Sequence, residues 1–242
     1  MSLLESVIAH AARRVERLKR ETPAEALRAL PLYGRAPRGL TGLLGAPAPR
    51  RVAEVRFADP ESGFRVPRGM AVAEEAACWA RAAVQGGANA VAVWTERNFH
   101  AGDWSHVDAV RAVAPEIPLI ARDIVVDAYQ LELARAHGAD AVTLWGAILG
   151  ARTAELADAA RARGLGVVIV ARNAAQLELA RAAGADAVLA LARDLGAAAQ
   201  DPAGARLVAD RARGLVVFVE AASSEAFVAA RAGDVWAAVD LG

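Results

Sequence analysis

The chain has 242 residues, of which 55% are apolar and 23% charged, so it can bury a large core, and intrinsic disorder is not expected. Its formal net charge is +0 at pH 7, which argues against nucleic acid or an acidic membrane surface as the main partner. The one cysteine, Cys78, permits no intramolecular disulfide, and a reducing cytoplasm is the expected location.

The N-terminal fifty residues predict a helical extension. The segment SLLESVIAHAARRVERLKRET is charged throughout, so it is neither a signal peptide nor a membrane span. A second helix is predicted near 23–30, followed by a Pro/Gly-rich connection. We expect residues 1–50 to cap a barrel formed by residues 51–242. The only lysine, Lys19, lies in the first helix, so no site in the barrel can use a lysine as an acid or a base.

A repeat marks the middle of the chain. Residues 130–142 read QLELARAHGADAV and residues 176–188 read QLELARAAGADAV, with weaker echoes at 80–91 and 230–239. Each copy is the end of an amphipathic helix, a glycine terminator, a polar turn and an apolar strand. Helix followed by strand, repeated at this scale, indicates parallel α/β structure rather than a helical solenoid.

Eight apolar segments are predicted to be strands, because their interiors lack polar alternation, as strands covered on both faces do. They are 52–56, 90–94, 119–122, 141–144, 167–170, 187–191, 215–220 and 235–239. Helices are predicted between them at 72–86, 104–113, 127–137, 152–163, 174–183, 202–212 and 223–232. This order favours a closed (β/α)₈ TIM barrel over an open sheet.

The sequence stops at Gly242, directly after the eighth predicted strand. We therefore expect the last outer helix to be missing. The apolar flank would then be covered by the N-terminal helices or by another copy of the chain in a homo-oligomer.

Three strand ends carry a specific resemblance. They are VAEVRFADPESGFR at the first strand, WTERNFHAGDWSHVDAVR at the second and PLIARDIVVDAYQLELARAHGADAVTL at the third. Barrel enzymes place their working residues at these ends. From about residue 50 to 242 the chain resembles indole-3-glycerol phosphate synthase. That family closes a carboxylated phenylamino-deoxyribulose phosphate to an indole, with loss of CO₂ and water, and uses a general-acid lysine, a second lysine, glutamates and phosphate-binding glycine turns.

The resemblance implies four catalytic positions in this sequence, which are Glu54, Arg56, Arg122 and Glu220. Glu54 and Glu220 match family glutamates, whereas the two arginines stand where the family has lysines. Arg56 can still bind a carboxylate. Arg122 replaces the general acid, and a guanidinium, with a pKa above about 12, is a poor proton donor near neutrality.

The resemblance also implies a substrate-binding set: Asp59, Phe99, Asp123, Leu144, Arg193 and Asp194. Other family positions have changed: Val170 replaces the fifth-strand glutamate, and Leu191 replaces the sixth-strand asparagine. Ala222-Ser223 and Val239-Asp240 stand where glycine turns would grip phosphate. We therefore predict that the ancestral carboxy-lyase activity is lost or altered.

The charged strand ends admit two interpretations. They could form a pocket for a small anionic metabolite, or an inherited ion-pair network without a ligand, which we favour. Trp145 and Trp236 could fill the mouth if they point inward. His100 and His106 lack a third ligand at matching spacing, so we predict no metal and no cofactor. Cys78 is predicted to be a small core residue.

Three hypotheses for function follow. The chain is a non-catalytic or repurposed paralogue of the synthase, an active synthase that uses arginines in unusual roles, or a different barrel enzyme. The last would act on a small anionic metabolite, with Glu54 and Glu220 as acid and base.

Overall fold

A computed structural model of the chain describes residues 3–46, 50–59, 63–64, 72–191, 202–212, 214–221 and 235–239. Eight strands form a closed barrel and are numbered here from first to eighth in chain order. They are Arg51–Val55, Ala90–Trp94, Leu119–Arg122, Ala141–Trp145, Gly166–Ala171, Ala187–Ala190, Val216–Ala221 and Val235–Val239. The predicted TIM barrel is confirmed, and each predicted strand lies within one or two residues of its observed bounds.

The eighth strand runs against its neighbours. The first seven strands pair in parallel along the barrel, whereas the eighth is antiparallel to both the first and the seventh. An antiparallel neighbour can be joined without the crossover helix that a parallel strand needs. In this register Val239 pairs with Val217, near the start of the seventh strand. The position expected to grip phosphate at the mouth therefore lies at the opposite end of the barrel.

Helices surround the parallel strands. The longer ones are Val72–Gln85, Trp104–Val113, Tyr129–Ala136, Thr153–Arg161, Ala174–Ala182 and Pro202–Arg211. These confirm six predicted helices, and the helix predicted at 223–232 lies outside the described residues. Sequence patterns did not predict the short helices Arg97–His100 and Gly146–Leu149 or the two-stranded ribbon Ala58–Asp59 with Gly63–Phe64.

Each copy of the repeat forms hydrogen bonds between the strand that it begins and the strand before it. The carboxylate of Asp140 accepts a hydrogen bond from the Leu119 amide (3.0 Å), while the Asp140 amide donates to the Leu119 carbonyl (2.8 Å). Asp186 makes the same pair of bonds with Val167, at 2.7 and 3.0 Å. The weaker echo does so too, with Asn89 joined to Arg51. Glycines with positive φ precede all three turns, where L side chains would be strained.

Alternate residues of the strands point into the barrel and out towards the helices. An interior apolar cluster contains Val52, Trp94, Ile120, Trp145, Val168, Leu189 and Phe218, among others. Their sequence neighbours pack in a second cluster between the barrel and the helices. Because both faces are apolar, the strands read as continuous hydrophobic runs in the sequence.

Residues of the N-terminal segment pack against the interior cluster at two places. Helix Leu3–Glu21 contributes Val7 and Ala11 to the interior cluster at the mouth, where the strands end. Leu40 and Leu43, from the short helix Thr41–Leu44 and the residue before it, join the same cluster at the other end. A further helix covers Ala24–Arg28. Within the described residues, no helix combines the length and apolar character needed to cross a membrane.

Candidate functional site

Glu54 and Arg122 are ion-paired inside the barrel. Glu54 stands on the first strand and Arg122 on the third, with side chains 0% and 2% exposed. An Arg122 guanidinium nitrogen donates to one Glu54 carboxylate oxygen, and the indole nitrogen of Trp94 donates to the other at 2.6 Å. The two side chains that the resemblance assigns to the proton-transfer glutamate and the general-acid lysine are thus bonded to each other.

Two tryptophans enclose that guanidinium. The Arg122 guanidinium carbon lies 4.5 Å from the centre of the Trp94 ring and 5.7 Å from that of Trp145. The imidazole of His100 stacks on Trp94, with ring centres 3.5 Å apart and planes 8° apart. Trp145 points into the barrel, which is one of the two orientations that the sequence left open. Trp94 also points inward, which the sequence did not predict. The side chain of Trp236 lies outside the described residues.

Arg56 and Phe99 lie beside this pair. The Nε atom of Arg56 is 3.7 Å from the Glu54 carboxylate, and the Arg56 side chain is 3% exposed. Phe99 is partly buried against the interior cluster and packs edge-on to His10 of the N-terminal helix, with ring centres 5.9 Å apart. Asp59 ends the first strand of the two-stranded ribbon, and its side chain lies outside the described residues.

Asp123 has structural partners on three sides. One oxygen accepts a hydrogen bond from the Ile124 amide at 2.9 Å, and the other accepts from the Gln130 side chain at 3.0 Å. A guanidinium nitrogen of Arg14 lies 3.6 Å from the first oxygen. Asp123 therefore ties the end of the third strand to the N-terminal helix and to helix Tyr129–Ala136.

The remaining predicted site positions are apolar or lie outside the group. Val170 and Leu191 belong to the interior cluster and are 1% and 3% exposed. Leu144 belongs instead to the cluster between the barrel and the helices. Glu220 is on the seventh strand opposite Trp236, with its side chain outside the described residues. Arg193 and Asp194 also lie outside them.

Glu96 and Gly102 determine the conformation of the loop after the second strand. The Glu96 carboxylate caps helix Arg97–His100 and bonds to the His100 ring at 3.1 Å. Burial by itself would raise the pKa of Glu96, but bonds from His100 and the backbone amides outweigh it and lower the pKa. A Cβ on Gly102 would stand 2.5 Å from the carbonyl oxygen of Trp94, so this turn has no room for a side chain.

The motif after the third strand also anchors the N-terminal helix. Asp127 accepts a hydrogen bond from the Tyr129 amide at 2.8 Å and pairs with Lys19 at 2.7 Å. The Tyr129 hydroxyl donates to the carbonyls of Leu18 and Thr22. The one lysine of the chain therefore has a structural partner. Within the described residues, this motif builds contacts between the extension and the barrel.

A family model for indole-3-glycerol phosphate synthase matches residues 4–220. The chain belongs to the indole-3-glycerol phosphate synthase family. The match spans the N-terminal helix and the first seven strands.

Relatives in this family carry the same name. The chain is similar to the indole-3-glycerol phosphate synthase of Salinibacter ruber, with 36% identity over 172 residues, 70% of this chain and 62% of that protein. It is 39% identical to the Micrococcus luteus protein of that name over 149 residues, 60% of this chain and 53% of the relative. These alignments span about half to three fifths of the relatives' lengths.

A solved structure supports the fold alone. The crystal structure of a 3-hexulose-6-phosphate synthase is similar with a TM-score of 0.52 and 23% identity, and the match covers 65% of this chain and 79% of that one.

The described residues include no cluster of three or more side chains suited to hold a metal. His100 bonds to Glu96, and His106 accepts from the Asp103 amide as part of a helix cap. The prediction for Cys78 was wrong: its side chain is exposed, because its helix turns the neighbouring Trp79 inward instead.

Proposed function

We propose that this chain is a non-catalytic member of the indole-3-glycerol phosphate synthase family, in which the carboxy-lyase reaction is lost. One observation carries the proposal. Arg122, at the general-acid position, is bonded to Glu54 and enclosed by Trp94 and Trp145. The reaction needs a proton donor at this position, whereas the guanidinium of Arg122 keeps its proton near neutral pH and is already bonded to Glu54.

The scarcity of interior side chains that could transfer a proton, within the part of the chain that the structure describes, supports the same proposal. General acid–base catalysis contributes roughly 10²–10⁴-fold when the donor has a suitable pKa. Arg122 does not meet this condition, and Val170 has no proton to transfer. Leu191, where the family has an asparagine, offers no hydrogen bond to a substrate. Two of the inherited polar positions are thus apolar and buried.

The space inside the barrel is the third line of support. Trp94 and Trp145 are each 2% exposed, and both belong to the interior cluster. Val7 and Ala11 of the N-terminal helix pack on this cluster from the mouth side. A bicyclic aromatic product would have to displace side chains that already pack against one another.

Turnover of the family's substrate tests the proposal. The purified full chain is incubated with the carboxylated phenylamino-deoxyribulose phosphate, and indole product is followed by fluorescence. The Micrococcus luteus relative serves as the positive control for the assay. We expect no product above the rate of a protein-free blank, while circular dichroism shows that the chain is folded.

A matched variant separates intrinsic activity from contamination. Glu54→Gln removes the carboxylate but keeps the size of the side chain. Product formation by the unmodified chain that Glu54→Gln abolishes would contradict the proposal and favour an active synthase with arginines in unusual roles. Equal product formation by the unmodified chain and the variant would come from a contaminating enzyme. That result would agree with the proposal that the chain itself has no turnover.

A cytoplasmic location and a role in aromatic metabolism beside an intact synthase belong to the same proposal. A small anionic metabolite, turned over by Glu54 and Glu220, is the competing function. The bonds that Glu54 already makes with Arg122 and Trp94 count against it. A homo-oligomer that covers the flank beside the eighth strand stays a prediction, which light scattering on the purified chain tests.

A further inference from the structure

The outer face of helix Leu3–Glu21 carries a row of arginines. Arg13, Arg17 and Arg20 are spaced four and three residues apart, which places them on one side of a helix. All three are exposed. They span seven residues, or about 10 Å along the helix axis.

The row forms one wall of an open groove of about 620 Å³. Arg14 and, from the short helix after the second strand, Arg97 and Asn98 also line the groove. We name this feature the arginine groove and define it by Arg13, Arg14, Arg17, Arg20 and Arg97. Its volume falls within the range of about 300–1,000 Å³ typical of small-molecule sites.

The residues that line the groove carry more positive than negative charge. Five arginines line it against one glutamate, Glu16, in a chain whose net charge is +0. Part of this positive charge is balanced by carboxylates, because Arg14 pairs with Asp123, Arg17 with Glu21 and Arg97 with Asp103. The excess of guanidinium groups over the one acidic lining residue still favours an anionic occupant.

The arginines keep capacity for such an occupant. Within the described part of the chain, neither Arg13 nor Arg20 has a carboxylate at ion-pair distance. Arg17 pairs with Glu21 at 2.8 Å and Arg97 with Asp103 at 4.0 Å, and both pairs are largely exposed. Exposed pairs contribute only about 0.2–1 kcal/mol, so an incoming anion can replace them.

We propose that the arginine groove binds a small ligand that carries two or more phosphate groups. Guanidinium groups match phosphate oxygens in paired hydrogen bonds. The row is longer than a single phosphate group, so several phosphates are needed to contact all of it. The residues that line the groove come from the N-terminal helix and the second-strand loop, and the proposal does not depend on whether the barrel interior catalyses a reaction.

Calorimetric titration with inorganic tripolyphosphate at low ionic strength tests the site. The variant Arg13→Gln/Arg17→Gln/Arg20→Gln removes the row. A control, Arg81→Gln/Arg206→Gln/Arg211→Gln, removes three exposed arginines from other helices and changes the net charge equally. We expect the groove variant to bind about tenfold more weakly, from three exposed contacts, and the control to bind as the unmodified chain does.

Three results would overturn the proposal: no saturable binding of tripolyphosphate, equal weakening in both triple variants, or orthophosphate binding as tightly as tripolyphosphate. Equal weakening would mean attraction by overall charge alone. Circular dichroism and thermal melting establish that each variant is folded, so a loss of binding reports on the groove.

Discussion

Arg122 reaches across the barrel interior from the third strand to bond with Glu54 on the first. The second strand lies between them, and its Trp94 bonds to the same carboxylate. Glu54 and Arg122, to which the resemblance assigns proton transfer, thus form with Trp94 a set of bonds that links three adjacent strands. Within this chain, their contribution to stability can be measured separately from any chemistry.

Removing one member of this pair should destabilise the fold strongly. Glu54→Leu leaves the buried Arg122 charge without its carboxylate, which costs about 3–5 kcal/mol in typical buried pairs. The double variant Glu54→Leu/Arg122→Met removes both charges and should be more stable than Glu54→Leu alone. Equilibrium urea unfolding of the single and double variants measures the coupling. Strictly additive free energies would show that the two side chains do not depend on each other.

The two copies of the repeat should differ in their sensitivity to substitution. Asp140 is fully buried and bonds to Arg35 at 2.6 Å as well as to Arg111 and the Arg38 amide. Asp186 is exposed and bonds to the Val167 amide.

We therefore expect Asp140→Ala to lower the free energy of unfolding by about 3–5 kcal/mol, because it leaves Arg111 buried without its carboxylate. Asp186→Ala, which removes one neutral donor's bond, should cost about 1 kcal/mol. Urea unfolding compares them directly. Equal losses would mean that the arginines around Asp140 contribute nothing.

Glu132 should make the fold sensitive to acid. Burial alone would raise the pKa of Glu132, but bonds from Arg28, Tyr33 and Arg163 outweigh burial and lower the pKa to about 2. A lowered pKa in the folded state stabilises the fold above the unfolded value of 4.5, and the benefit is lost as pH falls towards 2.

The unmodified chain should therefore exceed Glu132→Gln in stability by about 2 kcal/mol near neutrality, after allowance for screening of the half-exposed Arg28. The difference should shrink steadily below about pH 4.5. Urea unfolding of both proteins across this range gives the curve. A difference that is constant with pH would contradict the low pKa of Glu132.

Gly102 should tolerate no side chain. Its Cβ would meet the backbone of Trp94 and Thr95 at 2.5–2.7 Å, so Gly102→Ala must displace the second-strand loop. We expect a loss of about 2 kcal/mol in unfolding free energy. Gly34→Ala is the matched control, because no heavy atom lies within 4 Å of its Cβ position. Similar thermal melting of the two variants would contradict this reading of the turn.

The sequence predicted the barrel because each strand is an apolar run and each repeat supplies a terminator and a side-chain acceptor. The Gly-Ala-Asp turns at 138–140 and 184–186 mark where strands start, and the observed bounds agree. The resemblance to the synthase family indicated what had changed at Arg122 and Val170. Their burial now supports that interpretation.

Other features could not be predicted, for physical reasons. In strands that are apolar on both faces, no polar alternation indicates which residues face inward, so the sequence left the inward side of Trp94 open. The direction of a strand leaves no trace in its composition. The antiparallel direction of the eighth strand could therefore not be predicted from the sequence. Cys78 lies on an amphipathic helix, where adjacent side chains point about 100° apart, so Cys78 is exposed beside the buried Trp79.

A single-turnover experiment decides whether this chain carries out the inherited synthase reaction. The purified chain is held in excess over the carboxylated phenylamino-deoxyribulose phosphate for hours, and the indole product is quantified after quenching. We expect no product beyond the protein-free blank. Conversion of the substrate by the unmodified chain, abolished by Glu54→Gln, would contradict this expectation.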